Sequence, residues 1–147
     1  MTFSIVGRSA DGASWGVAVA SKFLAVGSAV PAAVAQVGAI ATQADANVAW
    51  KGLALSLLDD GATASVAVQR LIEDNEGRDH RQVGIVDATG GAATYTGTEC
   101  LDWAGGVTSE HADGSCANQG NVLTGPEVVD AMLGAWQSAS GDLAQRL

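Results

Sequence analysis

The sequence is short of positive charge, aromatic rings, proline and cysteine, and each shortage excludes something. Seven Lys and Arg residues stand against sixteen Asp and Glu, a formal charge of -9. Phosphate backbones are held by clustered cations, so nucleic acid is excluded as a partner. Net charge bears on solubility and leaves the substrate open. Aromatic residues are 5% of the chain, too few to read a stacking platform from. Cys100 and Cys116 are too few for a disulfide scaffold. Together with His80 and His111 they match no compact zinc spacing, so no metal is expected. No G-x-G-x-x-G or Walker motif sits between a strand and a helix, so no cofactor is expected either.

One long uncharged run exists, from Phe23 to Ala44. It is dominated by alanine and interrupted by Gly27, Ser28, Pro31, Gln36 and Gly38, which makes it a poor membrane span. Two buried strands joined by a turn suit it better, and no membrane partner is expected. The first residues alternate and lack a basic end followed by an apolar block, so no secretory signal is read and the protein is expected to be soluble and cytoplasmic. The length of 147 residues suits a single domain over 1–147 with one sizeable core. Nineteen glycines with only two prolines argue for tight packing and many turns.

Within that domain, residues 2–7 alternate, with Phe3 and Ile5 on one face and Thr2, Ser4 and Val6 on the other. Asp11-Gly12 is a hairpin signal, and Ser14 to Lys22 reads as the return strand. Its face of Gly16, Ala18, Ala20 and Lys22 carries small residues, which suggests close approach of another layer. A third strand is expected around Val34 to Gln43. Helical spacing follows in Trp50, Leu53, Ala54, Leu57 and Leu58, with Gly61 as its stop. Thr63 is placed to cap a second helix with Ala64, Val68, Leu71 and Ile72 inward and Glu73, Asp74 and Glu76 outward. "RQVGIVD" and "AATYTG" read as a hairpin across "ATGG". "WAGG" reads as a connection and "CANQGNVL" as a strand. Thr124 to Glu127 reads as a capping box opening a helix with Val129, Met132, Leu133 and Trp136 inward. A last pattern begins near Ser140 and reads as an element cut short at Leu147. Segregated runs of strand and helix favour an α+β fold.

The start of the first strand poses a chemical question. A threonine hydroxyl is a weak nucleophile unless a base takes its proton, and a free α-amine on the same residue, with a pKa near ~8, is such a base. Removal of Met1 would expose that amine on Thr2, and retention of Met1 would deny it. If the Asp11-Gly12 turn is symmetric, paired residues sum to 23, which sets Ser21 opposite Thr2; a one-residue bulge would set Lys22 there instead. A cation beside the amine would favour its base form.

The stretches "TFSIVGRSADGASWGVAVASKFLAVGSAVPAAVAQVGAIATQA", "DHRQVGIVDATGG", "TYTGTECLDWAGG" and "NQGNVLTGPEVVDAM" resemble the DUF1028 family, bacterial and archaeal proteins assigned to the Ntn-hydrolase-like superfamily. The resemblance runs in unbroken order from Thr2 to about Met132. It implies a four-layer αββα sandwich with the leading residue in a cleft, and cleavage of amide bonds. Thr2 falls on the family's leading threonine, and Lys22 in "ASKFLAVG" on the basic residue kept near the nucleophile. Gln119, Gly120 and Asn121 form a "QGN" block suited to an oxyanion donor, Asn121 above all, or to substrate amide contacts. Gln43 and Asn47 are polar residues at a strand end, with Ser21 beside the nucleophile. Asn47 also suits a helix cap, and Gln119 suits a buried backbone partner. Members continue beyond the position of Leu147, so the fold is expected to be incomplete at its C-terminus, with an open sheet edge and self-association into a homo-oligomer. The expected function is hydrolysis of a small-molecule amide, lactam or ureide; the alternative is a non-catalytic ligand-binding or assembly module on the same fold.

Overall fold

The computed structural model describes residues 1–73 and 75–147. Asp74, placed above on a solvent face, lies outside the described residues. The chain begins with a hairpin, β1 (Thr2–Ser9) and β2 (Trp15–Ser21), followed by a one-turn α1 (Val26–Ala29). β3 (Pro31–Val34) and β4 (Gly38–Ala44) come next, then α2 (Ala49–Asp59) and α3 (Ala64–Glu73). A 3-10 turn at Arg78–His80 leads into β5 (Arg81–Asp87) and β6 (Ala92–Thr96). β7 (Trp103–His111) and β8 (Gly114–Leu123) form the last hairpin, and α4 (Glu127–Ser138) and α5 (Leu143–Arg146) finish the chain.

The strands form two antiparallel sheets, in the orders β2-β1-β8-β7 and β3-β4-β5-β6. Alternation along each strand explains how they stack. Val6, Ala39, Ala41, Val86 and Ala117 come from both sheets and meet in one buried cluster, so these faces lie against each other. The opposite face of β4 and β5 presents Ile40, Val83 and Ile85 to Trp50, Ala54 and Leu58 of α2 and Ala67, Val68 and Leu71 of α3. The outer face of the other sheet offers Ile5 and Cys116 to Trp136 and Leu143 of the C-terminal helices. Each fully buried Val, Leu or Ile among these contributes roughly 1.5–3 kcal/mol relative to exposure. No helix among the described residues is long and apolar enough to cross a membrane.

The small-residue face of β2 has its reason in this packing. A Cβ at Gly16 would run into Leu147, and one at Gly7 would crowd Leu147, Trp136 and Leu143. The first hairpin pairs Thr2 with Ser21, and every further pair sums to 23 as the symmetric turn requires. Thr63 Oγ1 accepts from Val66 N at 3.3 Å at the start of α3, as its position predicts.

Four expectations are corrected. The single strand from Val34 to Gln43 is two strands, turned at Gln36 with φ 65 and closed by Val37 N to Val34 O at 3.2 Å. The four residues of "WAGG" open β7 instead of connecting elements. Its glycines are there for contact: a Cβ at Gly105 would strike the Trp103 ring, and one at Gly106 would strike Thr94 and the Asn118 carbonyl. Leu53 is 56% exposed, because α2 turns its narrower stripe of Trp50, Ala54 and Leu58 inward. At α4 the cap position belongs to Pro126 and no side chain caps it. The capping box lies at α5, where Asp142 and Gln145 satisfy each other's backbone N–H.

Candidate functional site

β1 starts at the wall of a cleft of about 580 Å³, with Thr2, Ser21, Lys22, Phe23, Gln43 and Asp45 among its lining. Residues directly opposite on an antiparallel ladder share a face. Thr2 is flanked in this way by Ser21 on β2 and Asn121 on β8. Thr2 Oγ1 and Ser21 Oγ lie 2.8 Å apart. Ser21 Oγ also donates to the Met1 carbonyl at 3.2 Å and accepts from Phe23 N at 3.0 Å. A serine has one proton to give. With that proton on Met1 O, the Thr2 hydroxyl is the donor toward Ser21. Lys22 is exposed at the cleft and forms no ion pair among the described residues.

Beneath Thr2 the space between the sheets is filled by amides. Ser4 Oγ donates to Gln43 Oε1 at 2.6 Å and accepts from Gln119 Nε2 at 2.7 Å. Gln82 is the hub. Its two Nε2 protons are shared among three acceptors, the Gly120 carbonyl at 2.8 Å, Thr96 Oγ1 at 2.8 Å and the Gly105 carbonyl at 3.2 Å. Its Oε1 accepts from Gln43 Nε2 at 2.7 Å and Asn121 Nδ2 at 3.1 Å. Carbonyl oxygens only accept, so Gln82 must turn its nitrogen to Gly120 and Gly105. Its oxygen then faces Gln43 and Asn121, and both must present nitrogen. Asn121 Oδ1 accepts nothing among the described residues and is not sealed in the interior.

The site residues expected from the sequence divide accordingly. Thr2, Ser21, Lys22 and Gln43 come together at one cleft. Gln43 is 1% exposed, so it supports the cleft floor from within the network. Asn121, expected as an oxyanion donor, spends an Nδ2 proton on Gln82 and lines a neighbouring cleft of about 400 Å³ beside Cys100, His80 and Glu99. The two clefts share Ala44 and Asp45 as their common wall. Lys22 is not the partner of Thr2, because the hairpin carries no bulge. Asn47 turns into the start of α2, where its Oδ1 accepts from Ala49 N at 3.1 Å. Gln119 lies between the sheets over Gly84, where any Cβ would overlap its amide. Gly120 is buried in β8 and offers its carbonyl to Gln82.

Ser4 and Gln82 were not anticipated. Their signal is a polar residue on the inward face of an otherwise apolar strand: Ser4 two residues from Thr2, Gln82 two before Gly84 in "RQVGIVD". Strain gathers nearby. Ala44 has φ 64 and Val122 φ 55, both at strand ends beside the clefts. For a β-branched residue such as Val122 this region is costly, roughly 1–3 kcal/mol, and tends to persist where function holds it.

Burial disfavours the thiolate at both cysteines. Burial pushes the Cys116 thiol up to about 11. Burial also raises Cys100, partly offset by the Gly97 backbone bond. The described residues hold no group of three or more His, Cys, Asp or Glu suited to a metal ion. At the far end of β5, burial acts to raise the Asp87 carboxyl, but hydrogen bonds from Ala64 N, Thr89 and Gly91 N hold it below the usual value.

A family model described as "Family of unknown function (DUF1028)" matches residues 2–147. The crystal structure of protein SPO2555 from Silicibacter pomeroyi, assigned to the same family model, is similar at a TM-score of 0.88 and 31% identity. The similarity covers 99% of this chain and 66% of that one, so this chain spans just under two thirds of that protein's length. No curated protein matches this chain.

Proposed function

The chain belongs to the DUF1028 family, whose function is unknown, and from that membership together with the cleft at Thr2 we propose a hydrolase of the N-terminal-nucleophile type. Its substrate is a small amide, lactam or ureide. In this reading the two facing sheets with helices outside them are an Ntn-hydrolase-like αββα sandwich. The observation that carries the reading is a threonine hydroxyl 2.8 Å from a serine hydroxyl, at the first position of a strand and on the wall of an open cleft that also holds a lysine.

Hydrolysis of the Met1–Thr2 peptide bond gives Thr2 a free α-amine. That amine takes the hydroxyl proton as Oγ1 bonds to the substrate carbonyl carbon, and the carbonyl π pair moves to oxygen. The oxyanion forms in the cleft that holds Lys22, whose charge opposes the developing negative charge and favours the neutral amine. Collapse breaks the C–N bond, and the leaving nitrogen takes the proton held by the Thr2 ammonium. Water then adds to the Thr2 ester with the amine again as base, releasing the acid and restoring the hydroxyl. Loss of Met1 also removes the acceptor of the Ser21 proton, which is then free to turn toward Thr2 Oγ1. Self-association through the open edge of β2, near exposed Phe23 and Leu24, belongs to the same proposal; light scattering that gives a monomer mass removes that part.

The test is intact mass on preparations active against an amide panel, followed by Thr2→Ala. Expected are a mass lacking Met1 and a loss of turnover of at least about a thousandfold with unfolding unchanged. Activity in material that retains Met1, or unaltered turnover in the variant, overturns the mechanism.

A further inference from the structure

The second cleft, on the other side of Ala44 and Asp45 from Lys22, is left unused by the mechanism above. We propose that it receives a primary ammonium group carried on the acyl part of the amide cleaved at Thr2, held by Asn121 Oδ1 with Glu99 and Asp45. The proposal rests on the hydrolase reading and names the substrate class within it.

The polarity of the amide network carries the argument. Gln82 is oriented by two backbone carbonyls that can only accept, and this forces Asn121 to point nitrogen inward. Asn121 is 3% exposed and lines the cleft. With one Nδ2 proton on Gln82, its Oδ1, an acceptor, has no partner among the described residues. An acceptor left open at a cleft can take an N–H from a ligand. The carboxylates of Asp45 and Glu99 on the same lining set the sign of charge. Arg81 lies 3.7 Å from Asp45 and partly offsets it, so Glu99 is the freer anion.

Spacing ties this cleft to Thr2. The two residues are directly opposite on the β1–β8 ladder. Their Cβ atoms are therefore roughly 5 Å apart on one face. A carbonyl carbon at Thr2 Oγ1 and an ammonium at Asn121 Oδ1 then belong to one small molecule, an amino-acid amide or a close relative. Val122, which follows Asn121, is pinned in its left-handed conformation by Val122 N to Leu101 O at 3.1 Å, so the main chain that carries the acceptor is held from both ends.

The experiment uses the full chain carrying Thr2→Ala, which binds without turning over, and two probes of one shape: L-alaninamide, with an ammonium, and isobutyramide, with a methyl in its place. Binding is followed by NMR at the Asn121 side-chain amide. Alaninamide is expected to shift that resonance and to bind at least about tenfold more tightly than isobutyramide, as befits one charge-assisted contact. Glu99→Gln, an exposed change that leaves the network intact, is expected to erase most of that preference, and Asn121→Leu, followed at the Val122 backbone amide, to abolish it. Equal binding of the two probes, no binding of alaninamide, or shifts confined to Lys22 and Phe23 overturn the proposal. Failure of the hydrolase reading looks different: the alaninamide preference persists while the unmodified chain turns over no amide.

Discussion

The interface between the two sheets has two ends, built on the same four strands and buried to the same degree. At one end Val6, Ala39, Ala41, Val86 and Ala117 form an apolar cluster. Further along those strands Ser4, Gln43, Gln82, Gln119 and Asn121 take the same inward positions. Apolar burial is non-directional and fixes only that the sheets meet. An amide network is directional: each member dictates which atom its neighbour presents. The apolar end holds the layers together. The amide end decides how Gln43 and Asn121 face the clefts beside Thr2.

β5 crosses both regimes, so three substitutions along it can break or sharpen the contrast. Gln82→Met keeps the shape and removes the hub's polarity, taking the side-chain partner from the Gly120 carbonyl and from Asn121 Nδ2 and leaving Gln43 Nε2 with only the Gln119 carbonyl at 3.3 Å. Urea unfolding should show a loss of about 4 kcal/mol, since each stranded buried group costs about 1–3 kcal/mol. A neutral or stabilised variant would mean that the amide end needs no network.

Asp87→Asn tests the strand's other end, where the carboxylate accepts from Ala64 N at 2.8 Å, Gly91 N at 2.8 Å and Thr89 N at 2.9 Å. An asparagine turns an NH2 toward one of these donors, and about 3 kcal/mol should be lost at neutral pH. Because the folded carboxyl lies below its usual value, its contribution is complete above the unfolded pKa near ~3.9 and fades as pH falls through the folded one. The variant should therefore lose stability less steeply than the parent below about pH 4, and identical acid slopes would contradict the assignment.

Val86→Ala removes two methyl groups from the apolar end and should cost about 2 kcal/mol, the smallest effect of the three. It should leave the Asn121 side-chain amide resonance unmoved, whereas Gln82→Met shifts it. A shift in both would mean that the two ends act as one unit.

Much of the local structure was legible. Alternation in β1, the Asp11-Gly12 turn and the resulting sum of 23 led to the Thr2–Ser21 pair. The Thr63 cap and the hairpin across "ATGG" were legible for the same reason, since turn and cap chemistry acts over a few residues. β7 escaped because Gly105 and Gly106 carry no alternation. Gln43 and the block Gln119 to Asn121 stand out in the sequence, but Gln82, which joins Gln43 to Asn121, reads as one more strand residue.

Sequence alone therefore determined the alternation of β1 and the place of its turn, narrowed the partner of Thr2 to Ser21 or Lys22, and put a hydroxyl at the start of a strand. These follow from neighbours close along the chain. Tertiary structure decided which polar residues meet. The Ser4–Gln43 and Ser4–Gln119 bonds link residues 39 and 115 positions apart. The first exists only once the two sheets have closed on each other, and the second only once β8 has paired with β1. The direction in which Asn121 presents its amide depends on that closure, because it is set by backbone carbonyls of a different hairpin from the one that holds Gln82.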